Sequence, residues 1–323
     1  MRNLRRGMRW IWLRVVATSL VPAAWYLSNR WNRNQDQYLI GGVEVTPQVF
    51  VERGGRCDMI RTSGGKTSPY NQRVDFTDAP HCYTIQCPPK VAETNVDQQK
   101  EITVYFHVIT KGDQPGDGKI PEEMINRQME VLSEAFHTTQ FRFKLAGPID
   151  YRQKSEWFDL AHCSPAEQDM MNQLGMKQKD VLNVYTVNSP NAAGWAIFPW
   201  DAFPHGFSAN PYHDGVVIRF STVPGGTDPH YNLGMTLVHE VGHWLGLLHT
   251  FENSCASPGD CVDDTTPEGH GNFSVCNVFP NTCNTREGDP IFDFMDTSPD
   301  QCLLFFTNGQ SRRMDQMFAD YRQ

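Results

Sequence analysis

The chain has 323 residues, a formal net charge of -9 at neutral pH and 39% hydrophobic residues. That length allows one or two domains with a real core, and the acidic balance excludes a general nucleic-acid surface. Nine cysteines, five of them after residue 250 and none in a CxxC pair, point to an oxidising compartment and exclude zinc-finger spacing.

At the amino end, Arg2, Arg5, Arg6 and Arg9 precede an apolar stretch from Val15 to Leu27 that contains the small-residue site Val21-Pro22-Ala23. A basic start, a short apolar run and such a site are the marks of a secretory signal peptide, and the run is too short for a confident membrane span. Residues 1–27 are therefore expected to be a signal peptide or, if uncleaved, an amino-terminal anchor. Residues 28–98 are polar, rich in Asn, Gln, Arg, Gly and Pro, and show little periodicity, so they read as a mostly irregular propeptide. A thiolate from such a segment can occupy an open metal position until the segment is cut away, and Cys57 and Cys87 are the candidates.

Residues 99–323 carry the folded pattern. From Ile102 to Ile109 apolar residues alternate, which predicts a half-buried strand with Ile102, Val104, Phe106 and Val108 inward and His107 on the opposite face as a structural histidine. Pro121 opens a helix whose Ile125, Met129, Leu132 and Phe136 form a core-facing stripe. Val181 to Val187 and Gly215 to Phe220 are β-branched and aromatic, and predict further strands. Asn272-Phe273-Ser274 is a glycosylation acceptor motif. Near the end, Thr307 and Gln310 form a capping-box pattern ahead of a helix with Met314, Met317, Phe318 and Tyr321 on one face.

The chemistry concentrates in residues 239–249, HEVGHWLGLLH. On a helix His239 and His243 lie one turn apart, where two imidazoles can ligate one zinc ion, and Glu240 is placed to act on a water at that metal. Gly246 can take a positive φ, so the helix can stop and the backbone can swing His249 back as a third ligand. Three histidines leave a tetrahedral ion one open position, the mark of a catalytic rather than a structural site.

The extended motif resembles that of the metzincin metalloproteases. The string LGMTLVHEVGHWLGLLHTF, followed by GDCVDDT and DPIFDFMDTSPDQC, is similar to the pappalysin-type members, most closely their small secreted fungal and bacterial forms. TVYFHVI, LNVYTV, AGWAIFPW, DGVVIRFSTVPGG and YNLG follow the same order upstream, so the resemblance covers roughly residues 100 to 323. It implies an α+β metzincin-type catalytic domain. Its upper subdomain, 99–246, has a mixed twisted sheet and two long helices. Its lower subdomain, 247–323, is irregular and disulfide-linked, with a methionine turn and a carboxy-terminal helix.

The resemblance also assigns residues. Met295 is the methionine beneath the metal, and Gly194-Trp195-Ala196-Ile197-Phe198-Pro199 is the cleft-edge strand to which an extended peptide adds. Trp195 there is either a substrate contact or a rim aromatic. Disulfides Cys255–Cys283 and Cys276–Cys302 are implied, as is a structural calcium near Asp260 and Thr265. Relatives carry a tyrosine two residues after the methionine as an oxyanion donor, where this chain has Thr297. Asp300 falls where the pocket for the residue after the cleaved bond is expected, so its charge would favour Arg or Lys there.

The reading is a secreted, monomeric zinc endopeptidase, made as a zymogen, that cleaves proteins or peptides. Its alternative is a zinc-bound but catalytically weak binding or inhibitory module, motivated by Thr297. No nucleic acid is expected as a partner, and a membrane only through an uncleaved amino-terminal segment.

Overall fold

The computed structural model describes residues 99–114, 116–203, 213–272, 276 and 279–323, and the backbone of two short strands nearer the amino end. Those strands, β1 (Tyr38–Ile40) and β2 (Val43–Val45), pair antiparallel. The signal segment, Cys57 and Cys87 lie outside the described residues.

The main sheet is built on β3 (Lys100–Thr110), a run of β-branched and aromatic residues. It pairs in parallel with β4 (Phe141–Leu145), β5 (Asp150–Gln153) and β6 (Val181–Val187). Beyond β6 lies the parallel β8 (Val216–Arg219), and the edge strand β7 (Gly194–Ala196) runs antiparallel to β8. One antiparallel edge on an otherwise parallel sheet makes it mixed, as expected.

Helix α1 (Glu122–Ala135) packs Ile125, Met129 and Leu132 into the same core as Ile102, Val104, Phe106 and Val108 of β3. A second apolar cluster forms on Trp157 and Phe158 of α2 (Ser155–Phe158), Met170 and Met171 of α3 (Pro165–Leu174), and Tyr185 and Trp195 of the sheet. The half-buried expectation for β3 holds in its first half, where Thr103 and Tyr105 are partly exposed, and is corrected in its second. His107 and Ile109 are buried on the other face, because a central parallel strand is covered on both sides. His107 Nδ1 lies 3.0 Å from Asp150 Oδ2 and its ring stacks on Tyr185, which makes it a packing histidine.

A single turn of helix, α4 (Pro199–Ala202), follows β7, and α5 (Met235–Trp244) lies against β7, β8 and α1. Among the described residues after α5 the chain forms no helix longer than a 3-10 turn until α6 (Asn308–Tyr321). Disulfides Cys255–Cys283 and Cys276–Cys302 tie that irregular stretch together. Thr307 and Gln310 form the reciprocal capping box, and Met314, Met317, Phe318 and Tyr321 are buried. The glycosylation reading is corrected as well: Asn272 is buried, and its amide donates to Ser298 Oγ at 2.8 Å.

Candidate active site

Helix α5 holds its histidines through the spacing that the sequence predicts, and the turn after it supplies the third. Gly246 adopts φ 93°, the left-handed region open to glycine. Its N–H donates to the His243 carbonyl at 2.8 Å and that of Leu247 to the Gly242 carbonyl at 2.9 Å, the paired bonds of a Schellman turn. The chain then reverses, and His249 arrives beside the helix. The Nε2 atoms of His239, His243 and His249 lie 3.1, 3.2 and 3.3 Å apart.

These imidazoles fit a metal ion. Metal–nitrogen bonds of about 2.0–2.1 Å in a tetrahedron place the nitrogens roughly 3.3–3.4 Å apart, close to the spacing found. The other ring nitrogens face carbonyls: His239 Nδ1 is 2.7 Å from Phe294 O, and His243 Nδ1 is 2.7 Å from Leu247 O. Each carbonyl accepts a hydrogen bond from the Nδ1–H and leaves the Nε2 lone pair pointing inward, the tautomer that a ligand needs. Burial pushes the His243 imidazole down to about 4, with the Leu247 carbonyl opposing, so the ring is neutral near pH 7.

Glu240 is fully buried beside the triad. A Cβ built at Gly194 would lie 2.9 Å from both Cγ and Oε1 of Glu240, so β7 meets the carboxylate with bare backbone. Met295 is buried beneath α5, and a side chain at Gly242 would collide with its sulfur. The Met295 carbonyl accepts from Thr250, and its amide donates to Asp293 Oδ1 at 2.7 Å.

Other predicted residues fall around this centre. Thr297 is buried with its hydroxyl unbonded, against Gly271. Asp300 is 1% exposed, and its Oδ2 accepts from the amides of Leu233 at 2.8 Å and Met235 at 3.3 Å, at the start of α5. Trp195 is 1% exposed rather than a rim or cleft aromatic, because its indole N–H donates inward to the buried Glu167 carboxylate. Asp260 is buried, its Oδ1 accepts from Val262 at 3.0 Å, and the Thr265 hydroxyl lies beside its carboxylate. The neighbouring Asp264 is engaged by Thr307 and by the Gly309 amide, both at 2.8 Å, at the start of α6.

Sequence reasoning missed Glu167, Arg313, Arg322 and the close approach of Gly194 to Glu240. Only Gly194 had a local signal, since a glycine opening a strand often marks a close approach. Among the described residues one other cluster could ligate a metal, His162, Cys163 and Glu167, but Cys163 is disulfide-bonded and offers no thiolate.

A mixed sheet, a histidine helix ending in a glycine turn and a methionine beneath it define a metzincin-type metallopeptidase. The family model described as Pregnancy-associated plasma protein-A matches residues 165–319. An extracellular metalloprotease of Colletotrichum graminicola is 39% identical over 223 residues, 68% of this chain and 77% of that protein. One from Neurospora crassa is 34% identical over 258 residues, 76% and 88% of the two chains. Mature mirolysin of Tannerella forsythia, solved in complex with a cleaved peptide, superposes with a TM-score of 0.56 at 27% identity, covering 69% of this chain and 92% of that one. The chain belongs to the pappalysin-type metalloproteases, and it is a metalloendopeptidase.

Proposed function

We propose that the chain is a secreted zinc endopeptidase in which His239, His243 and His249 hold the metal and Glu240 is the general base. The observation that carries this reading is the convergence of three imidazole Nε2 atoms within 3.1–3.3 Å, one residue from a buried carboxylate. Zinc held there supplies Lewis acidity, which activates water near neutral pH and polarises the scissile carbonyl. Glu240 accepts the proton of the attacking water and delivers it to the leaving amine. Gly194 fixes where that carboxylate stands, and Met295 floors the site without ligating. The edge strand β7 orients the substrate by adding an extended peptide through main-chain hydrogen bonds.

Residues 28–98 act as a propeptide, with Cys57 or Cys87 blocking the metal before maturation, and residues 99–323 are the catalytic domain. Export is supported by the names of the relatives, which are extracellular enzymes. Among the described residues no helix is long and apolar enough to cross a membrane. Asp260 and Thr265 hold a structural calcium, a reading supported by the burial of the Asp260 carboxylate beside the Thr265 hydroxyl.

The weak-enzyme alternative draws on Thr297, whose short hydroxyl is packed against Gly271. A casein assay on the matured protein decides between them. Endopeptidase function predicts that Glu240→Ala loses on the order of 1,000-fold in kcat/KM. A binding module shows no cleavage that depends on Glu240, and that result would overturn the proposal. A large rise in activity for Thr297→Tyr would show that the substitution has cost an oxyanion contact, of the order of 100-fold in other hydrolases.

A further inference from the structure

The metal helix is short, and two of its ligands are useful only if the turn beyond it stays fixed relative to them. The ten residues of α5 end at Trp244, and His249 arrives over five further residues of turn. Helix ends leave backbone groups unsatisfied, four N–H at the start and four C=O at the finish. In this molecule one such group at each end, the Met235 N–H and the Trp244 carbonyl, and one backbone group just outside each end, the Leu233 N–H and the Gly246 carbonyl, are taken by charged side chains from the part of the chain that follows His249.

At the start, Asp300 accepts from the Leu233 and Met235 amides, placing a buried negative charge at the positive end of the helix. At the finish, Arg322 Nε donates to the Trp244 carbonyl at 3.1 Å, and Arg313 Nε donates to the Gly246 carbonyl at 2.8 Å. Both arginines come from the carboxy-terminal segment that includes α6, and both are buried. Arg322 also stacks on the Trp244 ring at 3.7 Å and makes a bidentate pair with Asp214, at 2.9 and 3.0 Å, just before β8. The Trp244 indole donates to the same carboxylate at 3.1 Å. Met317 of α6 fills the space that a side chain on Gly246 would need.

We propose that Asp300, Arg313 and Arg322 are positioning residues that clamp both ends of α5, and that the two arginines hold the Schellman turn so that His249 keeps its place beside His239 and His243. None of the three is a ligand. Their effect passes through the backbone: the Gly246 carbonyl bound by Arg313 lies one residue before the Leu247 carbonyl that orients His243. A looser turn lets His249 leave the metal more often, which raises the rate of metal loss. This rests on the zinc reading above.

The test is zinc release from the purified full-length chain into a colorimetric chelator, with zinc content measured first. Arg313→Lys and Arg322→Lys keep a charge but lose the planar fork, so they are the gentlest probes; Arg313→Met and Asp300→Asn extend the series. Met129→Ala, an apolar truncation on α1 in the core that α5 shares, leaves all three clamp residues in place and controls for general destabilisation. The clamp predicts release on the order of tenfold faster in the arginine variants than in a control of equal thermal loss. Release from the lysine variants no faster than from Met129→Ala overturns the clamp, even when the wild type holds one zinc. A wild-type chain without zinc, or His249→Ala retaining zinc at the wild-type release rate, would sink the metal assignment itself.

Discussion

Gly194 shows how much a missing side chain can decide. Its position is occupied in effect by Glu240, whose Cγ and Oε1 approach within 2.9 Å of where a Cβ would stand, with the Val217 carbonyl at the same distance. Backbone on one side cannot yield, so an added methyl group pushes the carboxylate. Displacing a catalytic group by about 1 Å can cost roughly 100-fold in rate. Gly194→Ala should therefore lower kcat on the order of 10- to 100-fold with little change in KM, while zinc content stays at the wild-type level. An unchanged kcat would mean that Glu240 tolerates the shift. Combining the change with Glu240→Ala separates the two routes: if Gly194 acts only through Glu240, the alanine adds no further loss.

At the scale of an element, α5 carries an internal conflict that Gly242 resolves. Alanine in place of a mid-helix glycine usually gains about 0.5–1 kcal/mol from reduced backbone entropy. Here the added carbon would collide with the Met295 sulfur in a core closed by Phe306. Overpacking of that kind costs about 1–3 kcal/mol, so the steric term outweighs propensity. Gly242→Ala is expected to lower the denaturant midpoint by the equivalent of about 1 kcal/mol. A stabilised variant would show that the methionine turn has room to retreat. The same helix shows why the third ligand could be anticipated: the glycine turn is a local device, complete within residues 242–247.

For the whole molecule, buried carboxyl groups in the irregular half set the response to pH. Burial is the largest cause for both Asp293, raised to about 8, and Asp260, raised to about 6. A carboxyl whose folded value lies above its unfolded one binds more protons in the native state between those values. Its contribution is fully present below about 4 and is lost as pH rises through the folded value. Thermal stability in chelator should therefore fall from pH 5 to pH 8, and Asp293→Asn, which keeps the acceptor for Met295, should flatten that slope. Calcium at Asp260 and Thr265 would act in the opposite sense, because ligation needs the ionised carboxylate. Added calcium should raise the melting temperature more at pH 7.5 than at pH 5, and Asp260→Asn should abolish the gain. A calcium response independent of both pH and Asp260 would remove the calcium assignment.

Sequence alone determined what depends on spacing within one element. Two histidines four apart share a helix face, a glycine three residues on ends that helix, alternating β-branched residues make strands, and Thr307 with Gln310 caps α6. Likeness to a known family added Met295 and the two disulfide pairs, which span 28 and 26 residues and follow from no local pattern. Tertiary structure decided the rest, because those contacts join residues that no periodicity links. Trp195 turns inward only because Glu167 of α3 waits beneath the edge strand, and the second half of β3 is buried on both faces only because elements cover each side. The same holds for Arg322, whose partners Trp244 and Asp214 lie 78 and 108 residues away in the chain, and for Asp300, which meets an amide at a separation of 67. Such partners are chosen by how layers pack, and packing is a property of the folded chain rather than of any stretch of its letters.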